Sequence, residues 1–347
     1  MEQLLPAYDD PLFSILLIIV LGLIIAVATY GWGVYKQQRE EGKLLKFLDK
    51  FDSSECSLDT HDMPYEEHLL KPLSLLAKAF ENTGEYHKSI SIYVYLIKNI
   101  DDNLGKTELL ERLGNTYLHA GFLERSRSIY IDILRKHPRN KPVLYGLSVV
   151  YEMMQEYEKA KEVIEPLEHL NEETHHLRTF LDFSEIIHNK QTDTQEKTLL
   201  LSQSLEKEPK LYRDVIYNLF KLDTKTAWQH VDPLRIDEIL DILWFLPNSQ
   251  VDFDIIKDNK QLSTLYYAKG YIQTMSSHSG IFALDMLATT KKQGFDEADL
   301  HFSYLCKKCK QSFPISFNRC PNCMAIYSIE VKEDIGKQSP QTNYSLL

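Results

Sequence analysis

A segment from Thr107 to Asn140 recurs in pattern 34 residues further along, and this self-similarity limits the possible folds more than any other feature of the chain. The first copy carries Leu110, Leu113, Gly114, Tyr117, Gly121, Ser126, Tyr130, Ile133 and Pro138. The second places Leu144, Leu147, Ser148, Tyr151, Gln155, Ala160, Ile164, Leu167 and Glu172 in the same slots. Apolar residues at helical spacing, with small residues where two helices must cross closely, predict a helix pair in each copy. One pair is too small to bury its own apolar face, so neighbouring pairs must stack. An earlier unit around Leu73, Ala77, Phe80, Gly84, Tyr86, Ser89, Tyr93 and Leu96 fits at a spacing of 37, with an insertion near Asp101-Asp102-Asn103. A fourth, around Leu181, Glu185, His188, Lys197, Leu201 and Pro209, keeps part of the pattern.

These units resemble the tetratricopeptide repeat, so the expected fold is mainly α, with an α-solenoid over residues 69–222 and degenerate helical repeats over 223–300. Composition agrees: 13 Gly and 13 Pro in 347 residues are too few for the turns of a large β-sandwich or propeller. In the degenerate stretch Ile236, Ile239, Leu240, Leu243 and Trp244 keep helical spacing. Pro247-Asn248 and Asp258-Asn259 read as turns, and Trp244 and Phe245 as core. Stacked pairs present a concave surface that binds other polypeptides. Its inward positions in the two best units would be Glu108, Glu111, Asn115, Tyr145, Val149 and Glu152, suited to a cationic or amphipathic guest or else a solvated face with packing tyrosines.

No charged residue occurs from Pro11 to Tyr35, and the apolar core from Leu12 to Val34 spans 23 positions. At ~1.5 Å per residue such a helix crosses a ~30 Å hydrocarbon layer. Residues 11–35 are therefore expected to form one transmembrane helix after a short non-cytoplasmic N-terminus, 1–10. A cleaved signal peptide is the rival reading, since Ala26-Val27-Ala28 imitates a cleavage site. Against it, Glu2, Asp9 and Asp10 precede the run with no Lys or Arg, and the run is long for a signal h-region. Lys36, Arg39, Lys43 and Lys46 follow the span and place the bulk of the chain in the cytoplasm. Residues 36–68 read as a juxtamembrane helix and linker, with Cys56 an isolated thiol.

Cys306-x-x-Cys309 is followed after ten residues by Cys320-x-x-Cys323. Two such knuckles folded against each other make a tetrahedral four-sulfur cage for zinc or, alternatively, iron. With four protein ligands no position remains for an activated water, so the ion is expected to be structural. Residues 301–330 form this four-cysteine ribbon and 331–347 a C-terminal tail. Six Lys/Arg against three Asp/Glu make residues 301–347 basic, whereas the whole chain has a formal charge of -11. Charge complementarity would favour docking of the ribbon on the repeats.

The anchor ending in Tyr30-Gly31-Trp32, the repeats, and the terminal Tyr304-x-Cys306-x-x-Cys309 with Cys320-Pro321-x-Cys323 together resemble the lipopolysaccharide assembly protein B family. The resemblance implies a rubredoxin-like zinc ribbon with Cys306, Cys309, Cys320 and Cys323 as ligands. It also implies a non-enzymatic adaptor of the bacterial inner membrane that presents the lipid A deacetylase to the membrane protease FtsH. A protein of the same build could instead chaperone another membrane complex, such as flagellar stator units. Lys310 and Met324 stand where rubredoxin-type sites often use Gly.

Catalytic motifs are missing. Gly105-Lys106-Thr107 ends like a phosphate-binding loop, but no glycine precedes it to build the cradle, and it reads as a helix start. His175 and His176 are neighbours on a helix, about 100° apart, and cannot chelate one ion together; they are expected in solvent. Lys307, Lys308, Lys310 and Arg319 suggest an RNA-binding ribbon, which the acidic body opposes, so nucleic acid is an unlikely partner.

Overall fold

The structure is a computed structural model describing residues 65–100, 103–274, 278–295 and 297–337. The expected span 11–35, the N-terminus 1–10, Cys56 and most of the juxtamembrane segment lie outside the described residues. Among the described residues no helix is long and apolar enough to cross a membrane. The chain divides into two compact units at the Thr116–Tyr117 boundary.

In the first unit α1 (Leu70–Asn82) and α2 (Tyr86–Asn99) form a pair, followed by the start of α3 (Asn103–His119). Gly105-Lys106-Thr107 falls in the opening turns of α3, as a helix start requires. Gly84, at φ +79°, ends α1 in the left-handed region, and Glu85 N donates to Phe80 O at 2.8 Å. This bond satisfies a carbonyl that the helix end would leave unpaired.

The second unit repeats the device. After α3, Gly121 takes φ +78° and Phe122 N donates to Tyr117 O at 2.9 Å, leading into α4 (Leu123–Lys136). Between α5 (Lys141–Met153) and α6 (Tyr157–His169), Gln155 takes φ +60° and Glu156 N donates to Tyr151 O at 2.8 Å. Gly84, Gly121 and Gln155 stand at the 37- and 34-residue offsets read from sequence. The buried small residues Ser89, Ser126 and Ala160, all 0% exposed, follow the same offsets. The fourth pair forms too: α7 (His175–His188) and α8 (Thr194–Lys207) pack together despite their weaker pattern. Its turn differs, with the Asp193 carboxylate capping α8 through Gln195 N at 3.1 Å.

Beyond it, α9 (Tyr212–Leu222) and α10 (Thr224–His230) are followed by the short helices α11 (Leu240–Phe245), α12 (Phe253–Lys257), α13 (Lys260–Lys269) and α14 (Phe282–Lys292). One core runs through them, with Leu219, Trp228, Leu243, Tyr266 and Leu284 all buried. Trp244 joins this core, while Phe245 is exposed and touches Phe302 edge-on at 5.7 Å.

The chain ends in an antiparallel sheet of order β2-β1-β3, from β1 (Ala298–Cys306), β2 (Ser312–Phe313) and β3 (Ile329–Lys337). This corrects the expected boundaries 301–330 and 331–347. Residues 331–337 belong to β3, which pairs with β1 from Cys306↔Ile329 to Ala298↔Lys337. Ile329 and Val331 alternate with Glu330 and Lys332, and Val331 is buried, whereas Ile335 near the end of the strand is exposed.

Candidate metal centre

Each cysteine pair sits on a knuckle of the same construction. Cys306 N donates to Gln311 O at 2.9 Å and Lys310 N to Cys306 O at 2.8 Å. In the second knuckle Cys320 N donates to Ala325 O at 2.9 Å and Met324 N to Cys320 O at 2.9 Å. Lys310 (φ +62°) and Met324 (φ +55°) close these turns in the left-handed region, a conformation easiest for glycine.

All four Sγ atoms lie within 4.8 Å of one another. Cys306 to Cys323 and Cys309 to Cys320 are each 3.7 Å. A tetrahedron with metal–sulfur bonds of about 2.3 Å has edges of about 3.8 Å, whereas a disulfide needs about 2.05 Å. The residues therefore fit a single tetrahedral ion. Cys306 and Cys320 are buried and Cys309 and Cys323 half-buried; a tetrahedral ion bound by all four would have no further position for a substrate.

Electrostatics support the assignment. Burial opposes the Cys306 thiolate, but the N–H groups of Cys309 and Lys308 and the Ser328 hydroxyl outweigh it and bring its pKa down to about 6. Burial pushes Cys320 up to about 12 and raises Cys323 as well. Four thiolates this close ionise together only around a cation, which a divalent metal supplies.

The second knuckle also fastens the ribbon to the helices of its own unit. Arg319 Nε donates to Glu152 Oε1 on α5 at 3.0 Å, a second guanidinium nitrogen holds Oε2, and a third reaches the Met324 carbonyl. The guanidinium lies over the Phe180 ring of α7, 5.2 Å from its centre. Tyr327 donates its hydroxyl to His176 O at 3.1 Å and meets Phe180 edge-on at 5.7 Å. The Asn322 carbonyl is 3.1 Å from His119 Nε2.

A second contact lies at β1. Tyr304 donates to Asp241 Oδ2 at 2.8 Å, and Arg213 grips both oxygens of Asp241 at 2.6 and 2.7 Å and the Ser316 hydroxyl at 3.1 Å. Burial opposes the Arg213 charge, yet the bonds to Asp241 outweigh it and raise its pKa. Burial raises that of Tyr304, and the Asp241 charge adds to it.

The proposed guest-binding residues are placed unevenly. On α3, Glu108 is exposed and bonded to Arg112 at 2.7 Å, and Glu111 and Asn115 are half-buried. On α5, Tyr145 is half-buried, while Val149 is buried at 7% exposure and so does not line an open face. Glu152 does not face a free groove either, because Arg319 of the ribbon covers it. His176 departs from its expected place in solvent. It is half-buried and bonded through Nδ1 to Glu208, which is only 3% exposed. The Arg213–Asp241–Tyr304 group had no sequence signal, since its members lie 28 and 63 residues apart.

Fold and site thus define a protein of stacked helix pairs whose C-terminal four-thiol ribbon is fastened across its own helices. No protein family and no curated protein matches the chain. Among solved structures, "MamA RS-1 ArsTM double mutant" is similar with a TM-score of 0.36 and 14% identity, over 50% of this chain and 93% of that one.

Proposed function

We propose that the chain is a non-enzymatic adaptor of the bacterial inner membrane. In this reading residues 11–35 hold it in the bilayer, the helix pairs bind client proteins on the cytoplasmic side, and the ribbon carries one structural zinc or iron ion. The observation that carries the reading is the seating of the second knuckle on α5 and α7 through Arg319 and Tyr327. A metal-built element placed to hold helix pairs in one arrangement suits a binding platform. By the sequence resemblance, the clients are the membrane protease FtsH and the lipid A deacetylase, in control of lipopolysaccharide synthesis.

The test is affinity capture of the full chain from detergent-solubilised membranes, with Cys320→Ser alongside. Recovery of FtsH and the deacetylase with the native chain, and their loss with the variant, supports this reading. Recovery of flagellar stator proteins moves the client assignment to stator assembly. Capture of neither overturns the adaptor role in both forms.

A further inference from the structure

The first helices of three successive pairs, α1, α3 and α5, share one register. Their turn residues Gly84, Gly121 and Gln155 fix the offsets, so positions 72, 75, 76 and 79 of α1 match 109, 112, 113 and 116 of α3 and 143, 146, 147 and 150 of α5. In the later helices this face is covered. Leu109, Leu113 and Thr116 on α3 and Val143, Leu147 and Val150 on α5 are all buried. At Gly146 the cover is explicit: a Cβ there would fall 2.8–2.9 Å from the Tyr130 ring on α4, the second helix of the pair before. On α1 the same face is bare among the described residues. Pro72, Leu75, Leu76 and Ala79 are all exposed, Leu75 by 74% and Leu76 by 40%, against 3% for Leu113 and for Leu147 in the slot of Leu76. At spacing i, i+3, i+4, i+7 the four make one apolar stripe, ~10 Å long.

A stacked array leaves such a face open only where a neighbour is missing from it. A further repeat does not supply that neighbour, since counting back 34–37 residues from α2 lands within 49–65, where Phe51, Leu58 and Met63 are too far apart to make a stripe. Slightly earlier, Leu44, Phe47, Leu48 and Phe51 stand at the same i, i+3, i+4, i+7 spacing as the stripe on α1. On a helix these four would share an arc of about 100°, with Lys43, Lys46, Asp49 and Lys50 opposite. From this match we infer that the bare face of α1 is the docking site for residues 43–51 of the same chain, seated as a helix with Leu44, Phe47, Leu48 and Phe51 against Pro72, Leu75, Leu76 and Ala79. The connecting residues 52–64 can span up to about 45 Å, several times the length of the stripe. Pairing α1 with α1 of a second copy would leave the apolar side of 43–51 uncovered in both chains, whereas the contact within one chain covers both stripes. In a chain anchored by residues 11–35 the seat would hold the first helix pair close to the bilayer; the docking itself does not depend on that reading.

The full chain is purified in detergent with benzoylphenylalanine in place of Leu75, irradiated, and the adducts are mapped by mass spectrometry. Neither client nor bilayer is needed, so the outcome is independent of the adaptor role. Adducts should fall within residues 43–51 of chains that still run as monomers, and should be lost in the L44E/L48E variant. In that variant, with Leu75 restored, hydrogen exchange over residues 70–82 should quicken roughly tenfold while exchange on α5 stays native. Adducts that join two chains, or that form with detergent alone, overturn the inference, as does unchanged exchange over residues 70–82.

Discussion

Arg319, the residue before Cys320 of the four-cysteine cluster, holds the carboxylate of Glu152, which lies 167 residues earlier on α5. Both side chains are 11% exposed. Their pairing ties the thiolate cage to a helix of the repeats, so loss of either partner leaves a largely desolvated charge facing nothing. Arg319→Ala and Glu152→Ala should each cost about 2–4 kcal/mol of unfolding free energy, and the double variant clearly less than their sum. Denaturant titration of the four proteins measures this. Additive losses would show that the two side chains do not interact.

Metal loss should be felt beyond the ribbon. An ion held by the four cysteines would order the second knuckle, from which Arg319, Asn322 and Tyr327 reach the helices. Cys306→Ser or Cys320→Ser should lower metal content from about one ion per chain to near zero, because binding energy supplies most of such a module's folding energy. Hydrogen exchange around Glu152 and Phe180 should then quicken. A metal-free variant with native exchange on α5 and α7 would confine the ion's effect to residues 298–337.

Much of this arrangement could be read in the sequence because its signals are local. The two C-x-x-C pairs need only short turns to bring their thiolates together, and the cage is found where the spacing put it. The helix turns at Gly84, Gly121 and Gln155 follow a period that stacking imposes on every unit. Contacts between distant segments leave no such trace. Glu152 reads as one more acid on a helix face until Arg319 is seen against it, and nothing near His176 announces Glu208. Strand β3 was hidden by its charges, since Glu330, Lys332, Glu333 and Asp334 resemble a solvated tail unless the alternation of Ile329 and Val331 with Glu330 and Lys332 is followed.

Close packing inside the repeats can be tested at Gly146. A Cβ there would fall 2.8–2.9 Å from the Tyr130 ring, and Tyr130, at 1% exposure, has no room to move aside. Gly146→Ala should therefore destabilise the second unit by about 1–3 kcal/mol, although alanine is the better helix former. Thermal melting of Gly146→Ala alone and with Tyr130→Leu provides the check. The second change should return part of the loss.

Asp214 gives the fold a pH dependence. It lies on α9, 8% exposed, and burial pushes its pKa up to about 7 in spite of Arg213. The native state thus keeps a proton that the unfolded chain releases near pH 4. Stability from this group is greatest at low pH, falls as pH rises from about 4 to 7, and is level above that. Asp214→Asn removes the fall, and its advantage over the native chain should grow between pH 5 and 8 to on the order of 2 kcal/mol. A constant difference across that range would mean that Asp214 is already ionised at pH 5.

The knuckles offer a test in the stabilising direction. Lys310 and Met324 hold φ of +62° and +55° because the N–H of each must turn back to the carbonyl of the cysteine four residues earlier. A side chain costs about 1 kcal/mol or more in that region, and glycine avoids the cost while adding some entropy to the unfolded chain. Met324→Gly and Lys310→Gly should each leave a net gain of a few tenths to about 1 kcal/mol. The gain should appear as slower metal loss to a chelator, since the turn need not be strained to keep its thiolates in place. Lys310→Ala and Met324→Ala separate this backbone effect from loss of the side chain, because alanine keeps the strained φ. If the alanine variants retained metal as long as the glycine ones, the strain would not lie in the backbone.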